Sequence, residues 1–355
     1  MTKVLTPTPE SVDFGTVKIG DSKTVDVVLE STGSAGPTVG SAGPTVTAGT
    51  VTGHADFSGG AADETEYPVQ VDLGKIWTVT DTDLPPRRSF GCVKAGSWIY
   101  VVGGRRDDTE TIFNDCWRSQ DGISWTRMSA ACFDKGRSDL ALFEHEGKLY
   151  AVGGLVDGVA TDEIWVSENT GYTWTKSTAV FPQKCARMGY AQTTGGFGIY
   201  GGIDETGTYS DKFSRGATPL SWSQDDAQAP GARVDCALVW TDTWLLLCGY
   251  DGTDLIDDCW VHSGGSFSDT GGQPFGGNGR AGVAAGGTAA ILFAHGGIDD
   301  MVERGAFEGQ ATMKYSTDDG ANWATFGTTK TGRAYHAMQE ISGKIALIAG
   351  EGWAS

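Results

Sequence analysis

The sequence predicts an all-β protein dominated by a six-bladed β-propeller. Three observations predict it: a small-residue signature that returns about every fifty residues, aromatic residues that keep step with it, and 53 glycines in 355 residues. Glycines scattered through apolar runs mean many tight turns, and therefore many short strands.

The signature closes a hydrophobic run each time. It reads YVVGG at Tyr100–Gly104, YAVGG at Tyr150–Gly154, IYGG at Ile199–Gly202, LLCG at Leu246–Gly249, FAHGG at Phe293–Gly297 and LIAG at Leu347–Gly350. The final glycines are separated by 50, 48, 47, 48 and 53 residues. An arginine precedes each: Arg88, Arg137, Arg187, Arg233, Arg280 and Arg333 lie 15 to 17 residues upstream. An aromatic follows (Trp117, Trp165, Phe213, Trp260, Tyr315), then a second (Trp125, Trp174, Trp222, Phe267, Trp323). Four markers in phase describe a unit of four strands, with rings filling the space between units.

At this period the pattern resembles the kelch repeat, over residues 64–355. The resemblance implies a propeller whose last blade is shared between the chain ends. The sixth unit has Arg333 and Gly350 but stops at Ser355. Tyr67 and Trp77 match the missing aromatic markers, so residues 64–80 are expected to supply the outer strands and remove the open edge. Ser316–Trp323 fits the S-x-D-x-G-x-x-W box, Ser167–Trp174 fits with Asn169 for Asp, and Ser119–Trp125 is one residue short. Sialidases carry such boxes, as do propellers without activity; the expectation is a strand-turn staple, because Asp and Asn bond their own turn backbone.

Residues 1–63 differ in character. SVDFGTVKIGDSKTVDVVLES and the later ADFSGG resemble the Ig-like sandwich of ciliary and bacterial surface proteins, and GSAGPTV occurs at 33–39 and again at 40–46. This segment is expected to be a small β or extended anchor that docks onto other proteins of an assembly.

Composition narrows function. A net charge of −19 argues against nucleic acid and against an anionic membrane surface as partners, so no nucleic acid and no membrane insertion are expected. No apolar stretch reaches the roughly 18 residues of a membrane span, and MTKVLTPTPESVDFG has no apolar core of a signal peptide. The seven cysteines show no CxxC spacing and recur at repeat positions, as in NDCW and DDCW, so they are expected to be buried free thiols in a chain made in the cytoplasm.

Enzymatic chemistry finds little footing. A kelch copper oxidase needs two His, two Tyr and a crosslinked Cys, and His54, His145, His262, His295 and His336 have no matching arrangement. A sialidase needs an arginine triad, a Tyr–Glu pair and an Asp, and no such pair is identifiable. No cofactor is expected. Ca²⁺ would suit Asp-rich turns such as Asp107-Asp108 and Asp318-Asp319, but solvated turn carboxylates explain them as well.

The arginine series is the candidate site. Arg88, Arg137, Arg187, Arg233, Arg280 and Arg333 are expected to ring one mouth of the channel, with Tyr335 and Trp353 as stacking surfaces. Carboxylates past the glycines (Asp107, Asp157, Asp204, Asp251, Asp299, Glu351) rim the same face. Two readings stand side by side: a ring of interblade ion pairs, or an anion mouth that grips an acidic glycan or peptide. The expected function is a non-enzymatic structural or adhesive binding protein, most simply a bacteriophage virion component (tail, fibre or capsid surface) with the propeller facing outward. The alternatives are a bacterial kelch protein-interaction module and a glycan-active enzyme of sialidase or galactose-oxidase type.

Overall fold

The computed structural model describes residues 82–225, 230–263, 265–288, 291–299, 310–329, 332–341 and 344–350, together with two short strands near the N-terminus. The chain divides into two units, Met1–Thr78 and Val79–Ser355. In the first, Leu5–Thr8 pairs antiparallel with Val28–Ser31. The rest of the anchor segment, and the strands expected at 64–80, lie outside the described residues.

The second unit is an all-β propeller. Its first four-stranded blade runs Gly91–Ala95, Trp98–Val102, Cys116–Ser119, Thr126–Ser129. The second runs Ala141–His145, Lys148–Val152, Val159–Ser167, Thr175–Cys185. The third is Gly189–Gln192, Phe197–Tyr200, Phe213–Thr218, Ser221–Gln224. The fourth is Ala237–Trp240, Trp244–Tyr250, Leu255–Ser263, Ser266–Asp269. The fifth is Ala281–Thr288, Ile291–Ile298, Thr312–Ser316, Ala324–Thr328. A two-stranded sheet, Ala337–Ile341 with Lys344–Ile348, follows. The expected six blades are thus corrected to five complete ones among the described residues, because the sixth station holds only two strands there.

Successive inner strands pack side by side, and Ala337–Ile341 touches both Ala281–Thr288 and Gly91–Ala95. Two circles of backbone hydrogen bonds tie the stations together. In the first, Ser89 N–H donates to the carbonyl of Tyr335, Tyr335 to Gly282, Gly282 to Asp235, Asp235 to Arg187, Arg187 to Asp139, and Asp139 back to Ser89, at 2.6 to 3.1 Å. In the second, the last signature glycine of each station donates to the next: Gly104 to Arg137, Gly154 to Cys185, Gly202 to Arg233, Gly249 to Arg280, Gly297 to Arg333 and Gly350 to Arg87, at 2.8 to 3.0 Å.

The second circle explains the signature. Its glycines have φ between 85 and 119°, a region that side-chain-bearing residues rarely enter. A Cβ on Gly104 would also lie 2.8 Å from the Arg88 carbonyl and from the Phe90 Cβ.

The core lies between blades, as the aromatic markers imply. Trp165 and Trp174 of blade 2 pack edge-on against Phe133 at the end of blade 1, with centroids 5.5 and 5.7 Å apart. Trp222 of blade 3 reaches Phe181 of blade 2 at 5.1 Å, and Phe267 of blade 4 reaches Tyr200 of blade 3 at 5.4 Å. All seven cysteines are buried and free; burial raises the thiols of Cys92, Cys185, Cys236 and Cys259 to about 12. The Asp boxes are staples: in the third, Asp318 accepts Asn322 N–H at 2.9 Å and the Trp323 indole donates to the Gly320 carbonyl at 2.8 Å. The shortened box works the same way, Asp121 capping Ile123 and Ser124 at 2.8 Å.

Inside the channel, Tyr190 of blade 3 reaches past blade 2 to blade 1. Its hydroxyl donates to the Cys92 carbonyl at 3.2 Å and accepts the Cys92 N–H at 2.9 Å.

One seam is polar. His295 and His336 occupy stations where other blades place residues such as Val102 and Phe90. Their rings meet at 2.9 Å between Nδ1 and Nε2, and His295 Nε2 lies 3.1 Å from Thr329 Oγ1. Burial, then the Arg333 charge, lowers His295 to about 3; burial, then His295 and Arg333, holds His336 well below its ordinary value. Both rings are therefore neutral in the fold, while the unfolded chain binds their protons below about pH 6.5. Their stabilising contribution is complete above that value and is lost as pH falls from 6.5 towards 3. Urea denaturation between pH 7 and 5, above the main carboxylate range, should show stability falling with acid. The double variant His295→Val/His336→Phe should flatten that slope; an unchanged slope would remove the histidines as its source.

Candidate ligand-binding mouth

Each inner strand starts at the glycine end of its blade and turns in a hairpin at the other, as where Ala141 pairs with Val152 and His145 with Lys148. The arginines therefore gather on the glycine face. Their register, however, is not uniform. Arg137, Arg233, Arg280 and Arg333 each stand two residues before a member of the first hydrogen-bond circle, and the residues that do so in the other two stations are Arg87 and Cys185. Arg88 sits one position further on, and Arg187 is itself a member of the circle. The expectation of one shared arginine position is corrected accordingly. The spacing held the signal: counted to the final glycine, 104 − 87, 154 − 137, 202 − 185, 297 − 280 and 350 − 333 are all 17, and 249 − 233 is 16.

The registered side chains work within their own blades. Each donates to the carbonyl of the residue just before the final signature glycine: Arg87 to Gly103 (2.9 Å), Arg137 to Gly153 (2.7 Å), Arg233 to Cys248 (3.0 Å), Arg280 to Gly296 (3.4 Å) and Arg333 to Ala349 (3.1 Å). Cys185 does the same through its thiol, to Gly201 at 3.3 Å. Three of the guanidinium groups pair with a carboxylate two residues before the first aromatic marker. Arg87 grips Asp115 at 2.6 and 3.0 Å, Arg233 grips Asp258 at 2.7 and 3.0 Å, and Arg137 meets Glu163 at 2.5 Å. The same carboxylates accept the indole N–H of Trp117, Trp260 and Trp165 at 2.7, 2.6 and 3.0 Å. Burial works against the Glu163 charge, but hydrogen bonds from Lys176, Trp165 and Arg137 outweigh it and lower its pKa to about 2. These ion pairs are intrablade; the interblade link is the arginine backbone carbonyl. Arg137 and Arg233 are 1% and 2% exposed, so neither offers its charge to solvent.

The expected rim carboxylates are mostly spent on their own turns. Asp204 caps Thr206 and Thr208, Asp251 caps Thr253 and Asp254, and Asp157 meets Lys135. Among the described rim carboxylates, Asp107 is the one that bonds an arginine of the series, Arg88, and it also meets Arg105. Glu351 and Trp353 lie outside the described residues.

The two off-register arginines build a different site. Five of the six residues of the first circle are not glycine, yet all five have left-handed backbone: Ser89, Asp139, Arg187, Asp235 and Tyr335, with φ of 53 to 59°. Such strain persists only where the surroundings enforce it, and it gathers at functional sites. The sixth member, Gly282, makes room: a Cβ there would lie 2.8 Å from the Tyr335 ring. Tyr335 thus reaches across to Asp235, its hydroxyl 3.4 Å from Oδ2. Arg187 holds Asp235 through Nε at 3.0 Å and through Nη2. Burial opposes the Arg187 charge, but Asp235 outweighs it, and the pKa is raised further. Arg88 lies over the Tyr335 ring at 5.0 Å and bonds Asp107. Ser138 donates to Asp139 at 2.6 Å. Ser89 Oγ is buried with no hydrogen-bond partner among the described residues.

The mouth is therefore a knot of two arginines, three carboxylates, a tyrosine and a serine. The sequence search found Arg88, Arg187 and Tyr335, and missed Ser89, Asp139 and Asp235, whose common feature is a station in the circle rather than a residue type. No group of three or more potential metal-binding side chains occurs among the described residues.

Similarity to known proteins agrees with the fold. A probable serine/threonine-protein kinase of Dictyostelium discoideum is 28% identical over 93 residues, 24% of this chain, and the match takes in only 7% of that protein's length. The solved structure of YjhT superposes with a TM-score of 0.64 at 15% identity, covering 78% of this chain and 94% of that one, which is a likeness of fold. The model of the DUF6242 β-propeller domain matches residues 53–260, more than half of the sequence, and the chain belongs to that family.

Proposed function

We propose that the chain is a non-catalytic binding protein that takes a carboxylate-bearing sugar at the glycine-face mouth. The observation that carries this reading is the unspent donor there. Arg187 is fixed by Asp235 through Nε and Nη2, so its Nη1 is left over in a rigid setting. A carboxylate would take it and a sugar hydroxyl would bond Asp139, with the Tyr335 ring as a stacking surface. The arginines that face neither mouth nor solvent, Arg137 and Arg233, serve stability in this reading.

Binding is favoured over catalysis by the state of the Tyr–acid pair. A nucleophilic tyrosine needs a neighbouring base. Asp235 is the carboxylate in reach, and Arg187 occupies both its oxygens. Burial also raises the Tyr335 pKa, with Asp235 adding to it, so the hydroxyl keeps its proton.

Two finer readings belong to the same proposal. The sixth blade is completed by residues 64–80, which would pair with Lys344–Ile348 in the two-stranded sheet and cover its edge. The segment 1–63 docks the chain into a virion or similar particle; its support is the sequence resemblance of that segment.

Variants at the mouth should separate recognition from stability. Arg88→Ala and Arg187→Lys should each weaken retention on an array of carboxylated glycans about tenfold. Asp107 keeps Arg105 as a partner when Arg88 is lost, so the ion pair itself contributes little, and the melting temperature read beside retention accounts for the packing over Tyr335 that buried Arg88 gives up. Arg137→Ala should instead cost about 1–3 kcal/mol, because it leaves the buried Gly153 carbonyl without its donor while Glu163 keeps Lys176 and Trp165, and it should leave affinity unchanged. Equal affinity of all three variants, or retention of acidic peptides in place of glycans, would overturn the ligand assignment. For closure, a chain starting at Pro85 should melt well below the full protein or aggregate; an equal melting temperature would refute the shared blade. For the anchor, native mass measurement should find the full chain in a high-copy assembly that a chain lacking residues 1–60 fails to enter.

A further inference from the structure

We propose that the opposite, hairpin face carries a second binding site, one that takes a cationic side chain of a basic peptide. The site is a cleft of about 620 Å³ between the inner hairpins of blades 2, 3 and 4, a size that suits an extended side chain with its backbone. Glu144 and Glu146 stand on one wall, Trp240 and Thr241 on another, and buried Phe197 lies between. The mouth on the glycine face shares none of these residues.

Its walls are built rather than incidental. Glu144 is anchored at both ends: its carboxylate accepts the Gly147 N–H at 2.8 Å, and its own N–H donates to Gln192 Oε1 of blade 3 at 2.9 Å. Glu146, at the hairpin tip, has φ of 51°, in the left-handed region. The hairpin cation Lys148 bonds Glu168 at 2.6 Å and meets Glu146 only through a longer-range attraction; His145, between the two glutamates, also lines the cleft and packs its ring edge-on against Phe197 at 5.3 Å. Trp240 is braced edge-on by Trp244 at 5.0 Å, which holds a partly exposed indole at the cleft edge. Thr241 Oγ1 is shielded from water and has no hydrogen-bond partner among the described residues.

Two carboxylates and an indole suit a group that is positively charged and rich in donors. Ammonium and guanidinium qualify, and both gain from lying over an indole ring. The net charge of −19 adds long-range attraction for such a ligand. A peptide rather than a free amine is favoured because the cleft, at about 620 Å³, is larger than one side chain and also takes in the Thr193–Gly196 turn.

Titration calorimetry of the full chain with trilysine, triarginine and triglutamine tests the site. The basic peptides should bind and triglutamine should not. E144Q and E146Q should each weaken binding five- to tenfold, and trilysine should perturb tryptophan fluorescence in the native chain but not in Trp240→Leu. Should Trp240→Leu unfold, E146Q decides alone, because Glu146 is exposed at a hairpin tip. Absence of binding at millimolar peptide, or unchanged affinity in both glutamine variants, would overturn the proposal.

Discussion

Everything in this propeller depends on a circle of six peptide N–H groups, each bonded to the carbonyl of the preceding station. The geometry demands a left-handed residue at every station, and only one of the six is glycine. An L-residue in that conformation costs about 1–2 kcal/mol. The cost recurs around the axis and is offset by closure, since each bond made orients the next inner strand. The same conformation throws the side chains of Ser89, Asp139, Arg187, Asp235 and Tyr335 together, so the device that closes the fold also composes the mouth.

Much of the architecture was legible because it rests on residue types that nothing else can replace. The glycine at the end of each signature sits at φ near 95° and touches neighbouring backbone, so substitution is blocked and the repeat stays visible. The aromatic markers fill fixed volumes between blades, and they kept phase for the same reason. The arginine register was harder. Matching by residue type selected Arg88 and Arg187, whereas the conserved quantity is a donor to one carbonyl. In one blade that donor is the thiol of Cys185. The mouth was only partly legible because its members share a backbone angle, which leaves no mark on residue identity in a single sequence.

Charge is sorted by depth. The deepest guanidinium groups are held inside single blades by a carboxylate that also takes an indole N–H, so a charge, its counter-charge and a large ring are ordered together. Between blades, peptide hydrogen bonds recur at every junction, and the Arg187–Asp235 pair adds a charged link between the third and fourth stations. A second polar seam is that of His295 and His336, beside the station that shows two strands among the described residues.

The tyrosine laid across the channel has its own consequence. Tyr190 is fixed at both lone pair and proton to one residue of blade 1, Cys92, so it cannot swing aside without stranding a buried N–H and a carbonyl. The two bonds tie blade 3 directly to blade 1 across blade 2, so removing this one hydroxyl would unpair two backbone groups of a strand it is not adjacent to.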